Sequence, residues 1–218
     1  MHEVEMPATF YRRYGKRACD VVLALTVLLV AGWLMLLIAA AVRLKLGRPV
    51  LFRQPRPGFR ERLFDLWKFR TMNDARDERG APLPDQQRLT AFGMFLRKSS
   101  LDELPEILNV LRGEMSFVGP RPLLSEYLPY YREEERVRAW VRPGITGLAQ
   151  VSGRNLLTWE ERFRLDVEYV RTLSPGTDLR IIMSTVAALF RRNEIRIGDD
   201  NPIPNLDVER RGKMRGER

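Results

Sequence analysis

Two residue types that carry much of enzyme chemistry are nearly missing from this chain. Among 218 residues there is one cysteine, Cys19, and one histidine, His2. A single cysteine excludes an intramolecular disulfide and a multi-cysteine zinc site. A single histidine beside the start excludes a Ser-His-Asp triad, a Cys-His dyad and an HExxH zinc site. Acid–base chemistry must therefore come from carboxylates, lysine or tyrosine. No Walker A pattern and no GxGxxG occurs, so neither a P-loop nor a Rossmann site is supported. RNP, zinc-finger and zipper signatures are absent too, so no nucleic-acid partner is expected.

Positive charge is abundant. Lys and Arg number 37 against 28 Asp and Glu, a net charge of +9. Such a surface favours anionic partners, such as phosphorylated metabolites or acidic lipid headgroups. Hydrophobic residues make up 44%, enough for the core of one domain, with room for an appendage.

Residues 21–42 carry no charge, and only Thr26 and Gly32 interrupt their apolar character. As a helix this segment would be roughly 33 Å long, about the hydrocarbon thickness of a bilayer. No small-residue cleavage pattern follows it, which argues against a secretory signal. Both flanks are basic: Arg12, Arg13, Lys16 and Arg17 before it, Arg43, Lys45, Arg48 and Arg53 after it. Positive flanks stay on the cytoplasmic side. Either the helix spans with the second flank dominant, or it re-enters the face it left. The doubly basic flanks lean toward re-entry, with Gly32 at the bend.

Beyond the apolar segment, residues 49–72 read as extended structure with a turn at Pro55-Arg56-Pro57-Gly58. Residues 73–90 read as a loop and 91–97 as a short helix. A helix is predicted from Glu106 to Arg112, stopped by Gly113. Residues 123–140 look helical, and 142–155 read as a glycine-containing loop. Thr158-Trp159-Glu160-Glu161 forms a capping box opening a helix that Ser174-Pro175-Gly176 ends. The last helix, from Asp178 to Arg192, suits either a membrane interface or a core. The tail after Asn193 reads as polar and mobile.

Asp102-Glu103, in Ser99-Ser100-Leu101-Asp102-Glu103-Leu104-Pro105, admits two readings. Ser100 and Glu103 could form a capping box, with both acids at the positive end of a helix dipole. Pro105 speaks against this, because it cannot donate the backbone hydrogen bond required there. The acids would then lie on a constrained turn before the helix. Cations that could meet an anion are Lys68, Arg70, Arg97, Lys98, Arg121 and Arg154. Arg121 and Arg154 stand out because proline or glycine beside them lets backbone and guanidinium approach a phosphate together.

Four motifs occur in order. They are Lys68-Phe69-Arg70-Thr71-Met72, Ser100 to Pro105, Ser116-Phe117-Val118-Gly119-Pro120-Arg121-Pro122, and Arg142-Pro143-Gly144-Ile145-Thr146-Gly147 with Gly153-Arg154-Asn155. Following one hydrophobic segment, they resemble the bacterial sugar transferase family, the monotopic phosphoglycosyl transferases, from about Lys16 to about Arg192. The chain is similar to the small members. Among these the likeness leans to the N,N′-diacetylbacillosamine 1-phosphate transferases, through the Phe117–Leu124 stretch and Glu126-Tyr127-Leu128-Pro129.

The resemblance implies transfer of a sugar 1-phosphate from a UDP-sugar to undecaprenyl phosphate, with release of UMP and use of Mg²⁺. Asp102 matches the nucleophile, which forms an aspartyl-phosphosugar and also contacts the metal. Glu103 matches its acid–base partner. Lys68, Arg97, Pro120, Arg121 and Arg154 match residues that organise the site or bind phosphates. The implied fold is α+β, one compact domain with an N-terminal re-entrant membrane helix (21–42 within 1–48), interfacial amphipathic helices and a small β element. The catalytic part is 49–193, followed by a polar tail, 194–218. The implied location is the cytoplasmic face of the bacterial inner membrane, in contact with membrane lipid and with room for a homodimer. One departure stands out: the family often breaks its membrane helix with Ser-Pro, where this chain has Ala31-Gly32.

Overall fold

The computed structural model describes residues 9–153, 156–190 and 204–216. A π-helical turn, Tyr11–Gly15, runs into the long helix α1, Lys16–Leu46. At 1.5 Å per residue α1 is about 46 Å long. It is helical through Gly32, where nothing lies within 4 Å of an added Cβ. Glycine there permits a bend without imposing one, and the helix is uninterrupted. By length and composition α1 and its leading turn could cross a membrane.

Helix α1 docks on one body along its whole length. At its start, Lys16 Nζ lies 2.7 Å from Asp178, whose carboxylate also accepts from Tyr11 and Tyr169, each at 2.7 Å. One turn on, Asp20 accepts from Ser116 Oγ at 2.9 Å and the Phe117 N–H at 3.0 Å. Ala24 is buried with Leu66, Ile107, Val110 and Met115. At the far end Ile38 and Val42 pack with Phe69 and Leu96. The opposite face is apolar and open, with Leu29 86% exposed, Trp33 63% and Leu36 73%.

Strands β1 (Leu51–Pro57) and β2 (Leu63–Phe69) form an antiparallel hairpin. The expected turn lies later than its prolines suggested. Pro55 and Pro57 sit inside β1, opposite Asp65 and Leu63, and the chain turns at Gly58 and the 3₁₀ stretch Phe59–Glu61. In a two-stranded sheet each strand has an open edge, and there the missing N–H of proline does no harm. Helix α2 (Asp85–Arg88) is a single turn inside the segment 73–90 that reads as a loop, and α3 (Ala91–Lys98) follows it. Helix α4, Glu106–Arg112, ends at Gly113 with φ 82°, the left-handed cap that glycine accepts readily.

Strands β3 (Ser116–Val118) and β4 (Gly144–Thr146) pair in parallel. Residues 142–153 are thus not simply a loop: they hold β4 and α5, Leu148–Ser152. A three-residue strand is too short to show a period of two. Residues 125–140 are two 3₁₀ helices, Ser125–Tyr130 with Pro129 inside it and Glu133–Trp140. Helix α6, Trp159–Thr172, opens with the predicted box, in which Thr158 Oγ1 accepts from the Glu161 N–H at 3.2 Å and Glu161 accepts from the Thr158 N–H at 2.9 Å.

Helix α7, Pro175–Phe190, buries one face in the core and leaves an apolar face open. Ile181 is in the core, while Leu179, Met183 and Val186 form an exposed apolar stripe. The segment expected to be a mobile tail contains helix α8, Leu206–Gly216, docked with Leu206 fully buried. Its charges hide its one apolar anchor from a composition reading.

Candidate active site

Lys68 comes from β2 and Arg97 from the last turn of α3. Ser100 then turns the chain in the left-handed region, φ 57°, and makes no side-chain cap. The capping-box reading is therefore not realised. Leu101–Glu103 is one 3₁₀ turn, and Pro105 is the first-turn boundary of α4. A proline without an N–H ends the 3₁₀ turn and opens the α-helix, leaving both acids on the rigid corner before it.

The two acids have different surroundings. Glu103 Oε1 receives Lys68 Nζ at 2.6 Å and Arg121 Nη2 at 2.7 Å. Burial alone would raise its pKa, but the charges of Arg121 and Lys68 outweigh that and bring it to about 2. Asp102, 8% exposed, has no ion pair and no hydrogen-bond partner outside its own residue among the described residues. Burial, then the charge of Glu103, raises its pKa, and the charges of Lys68 and Arg97 oppose them. One carboxylate is thus neutralised by ion pairs, and its neighbour is held in a cationic field without being consumed by it.

A third acid belongs to the cluster. Glu106, one helical turn beyond Glu103, lies 3.3 Å from Lys68 Nζ. Burial and the negative charge of Glu103 lift its pKa to about 7. A carboxyl raised from its ordinary 4.5 is favoured protonated by the fold. Its stabilising contribution is full below pH 4.5 and is lost as the pH rises through 7. Glu106→Gln should therefore flatten the fall in melting temperature over that interval. Parallel pH-dependent melts of the two proteins check this.

Arg121 stands on a loop fixed by backbone contact. The Gly119 N–H donates to Thr146 O at 2.9 Å, and the Gly144 N–H to Pro120 O at 3.0 Å. Two further arginines hold the loop from behind. Arg138 donates to the Arg121 carbonyl at 2.6 Å while pairing with buried Asp166 at 2.8 Å, and Arg56 donates to the Pro122 carbonyl at 3.2 Å. Arg97 is held by Thr71 Oγ1, 3.1 Å from its Nε.

Of the predicted residues, the structure brings together Asp102, Glu103, Lys68 and Arg121, with buried Pro120 next to the last in the chain. Arg97 reaches the group through its charge on Asp102. Arg154 lies outside the described residues. Sequence reasoning missed Glu106, Arg56 and Arg138. Glu106 reads as an ordinary first-turn acid, and Arg56 was hidden in an expected turn. Arg138 was one charge among many. Among the described residues, no group of three or more His, Cys, Asp or Glu side chains is arranged to hold a metal ion.

A sequence model described as bacterial sugar transferase matches residues 11–192. The chain belongs to the bacterial sugar transferase family. That range takes in α1, both strand pairs and the acid–cation cluster. Its relatives include the uncharacterized sugar transferase EpsL of Bacillus subtilis, 52% identical over 171 residues, or 78% of this chain and 85% of that one. The undecaprenyl-phosphate galactose phosphotransferase of Salmonella typhimurium is 36% identical over 83% of this chain. The UDP-glucose:undecaprenyl-phosphate glucose-1-phosphate transferase of Escherichia coli is 40% identical over 84% of it. The matched part covers only 41% of each of these two longer transferases. These names carry galactose and glucose, not bacillosamine.

Proposed function

We propose that this sugar transferase moves a sugar 1-phosphate from a UDP-sugar to undecaprenyl phosphate, releasing UMP, through a covalent intermediate on Asp102. The observation that carries this is the unpaired, buried Asp102 carboxylate beside Lys68, Arg97 and the Arg121–Glu103 pair. The names of the longer relatives support the substrate class. In the first step an Asp102 oxygen attacks the phosphorus that bears the sugar. A new P–O bond forms, and the bond to the bridging oxygen breaks with its electrons passing to UMP. In the second step an oxygen of undecaprenyl phosphate attacks the same phosphorus and frees Asp102. Two steps spare the soluble donor and the lipid acceptor from meeting in one geometry.

Arg121 and Arg97 bind and orient the diphosphate, where fixed cations count most in a partly dry site. Lys68, held between Glu103 and Glu106, keeps positive charge close to the attacking carboxylate. Glu103, bound to two cations, fixes Lys68 and Arg121 relative to each other.

A Mg²⁺ ion fits this donor set. Mg²⁺ is commonly held by one or two carboxylates and substrate phosphates rather than by a protein cage. Asp102 is the carboxylate of the cluster left without an ion pair, so it would hold the ion together with the donor's phosphates. When bound, the ion supplies charge neutralisation of the diphosphate.

The location we infer is the cytoplasmic face of the inner membrane, entered from one side. Both ends of α1 dock on the same body, one through Asp178 and Ser116, the other through Phe69 and Leu96. This tethering supports a reading in which both ends lie on one side, and so do the two basic flanks. Its exposed apolar face and that of α7 would meet lipid. Accordingly, Cys19 and a cysteine placed at Leu44 in a Cys19→Ser background should react with an impermeant thiol reagent from the same side of oriented membrane vesicles. Reaction from opposite sides would contradict this.

The activity is tested by UMP release from nanodisc-embedded protein with a panel of UDP-sugars and Mg²⁺, with and without undecaprenyl phosphate. Lipid-dependent turnover of one donor is expected. Silence across the panel from folded protein would count against the reading.

A further inference from the structure

Helix α8 lies beyond the residues that match the family, yet it docks on the segment that follows Arg121. Leu206 is fully buried among Leu123, Tyr127, Tyr131, Trp159 and Phe163. The Trp159 indole N–H donates to the Pro204 carbonyl at 2.8 Å. Arg210 grips both Glu135 oxygens, at 2.7 and 2.5 Å, and also donates to the Tyr130 carbonyl. Arg211 Nε donates to Tyr130 Oη at 2.5 Å. The anchors are thus Tyr130 and Glu135, one in each 3₁₀ helix, and the aromatic cluster beneath them.

From these anchors a short chain of contacts leads to the acid pair. Tyr131 Oη accepts from Arg138 at 3.1 Å, Arg138 donates to the Arg121 carbonyl at 2.6 Å, and Arg121 reaches Glu103 at 2.7 Å. Short 3₁₀ helices have poor hydrogen-bond geometry and gain their order from what packs on them. Residues 125–140 consist of two such helices, with Pro129 in the first.

We propose that α8 is a positioning strut for the catalytic cations: by ordering 125–140 it holds Arg138, and through it Arg121, in the geometry that meets the donor's diphosphate. The proposal rests on the phosphoglycosyl transfer reading of the site. Arg56 grips the Pro122 carbonyl independently, so releasing α8 loosens the arm without abolishing it. A helix that only added global stability would leave the kinetics of the folded enzyme unchanged. A strut acts on them, because misplacement by about 1 Å can lower a rate by up to 10²-fold.

The test uses the full chain in nanodiscs, at a temperature where all variants are folded. Leu206→Asp removes the buried anchor. Arg210→Gln is the milder second variant, should the first fail to fold. The expected result is a fall in kcat/KM for the UDP-sugar of about tenfold, carried mainly by KM. Amide exchange should accelerate across 125–140 and at Gly119 and Gly144, whose N–H groups fix the Arg121 loop, while β2 and α4 keep their protection. Free exchange in α8 with kcat/KM within about twofold of the parent, or with Gly119 and Gly144 still protected, would overturn the proposal. If the parent protein turned over no donor, the functional reading would fail, and the exchange of Gly119 and Gly144 would still decide whether α8 is a strut.

Discussion

Asp102→Asn is expected to lower UMP release by about 10³-fold or more, because the amide keeps the shape and loses the nucleophile. The same substitution should leave the protein as stable as before, or slightly more so. Asp102 makes no ion pair that its loss would break, and burial disfavours its charged form. A neutral amide of the same size escapes that penalty. Glu103→Gln should behave in the opposite way on stability, since it strips Lys68 and Arg121 of the carboxylate they share. Thermal melts beside initial rates separate the two acids: one variant inactive and stable, the other inactive and weakened. An Asp102→Asn enzyme with near-parental turnover would remove Asp102 from the chemistry.

Gly144→Ala is expected to be among the most damaging small changes to the fold. A Cβ at residue 144 would lie 2.1 Å from the Gly119 nitrogen, 2.4 Å from Thr146 O and 2.7 Å from the Gly119 Cα. All three are backbone atoms, so no side-chain rotation relieves the clash. Strands β3 and β4 would have to part, taking with them the Gly119-Pro120 contacts that carry Arg121. Overpacking commonly costs roughly 1–3 kcal/mol, and about 3 kcal/mol or more is expected where only backbone can yield. Melting in detergent, with activity measured well below the transition, checks this. Gly32→Ala is the matched control, because nothing lies within 4 Å of its added Cβ.

Much of this arrangement is legible in the residues. Pro105 by itself places the acid pair ahead of α4, since a residue without an N–H cannot sit where a Ser100-capped helix needs a donor. Gly113 marks the end of α4, and the capping box marks the start of α6. The apolar run marks α1. Other features depend on distant partners and leave no local trace. Arg138 looks like any helix-surface cation until Asp166 and the Arg121 carbonyl are beside it. Pro55 and Pro57 signal a turn unless the open edge of a two-stranded sheet is known to receive them. Leu206 is one apolar residue in a charged segment, and only the aromatic cluster facing it makes it an anchor. Glu106 is decided by its distance to Lys68, which lies 38 residues earlier in the chain.

The central claim is that Asp102 becomes bonded to the sugar phosphate before the lipid acceptor takes part. The most direct measurement is peptide mass spectrometry of nanodisc-embedded protein, quenched after mixing with its UDP-sugar and Mg²⁺ in the absence of undecaprenyl phosphate. The account predicts a mass increase of one sugar phosphate on the peptide containing Asp102. It also predicts a stoichiometric burst of UMP and loss of the adduct when undecaprenyl phosphate is added. UMP release that strictly requires the lipid, with no adduct on that peptide during turnover, would contradict it and point to direct transfer between the two substrates.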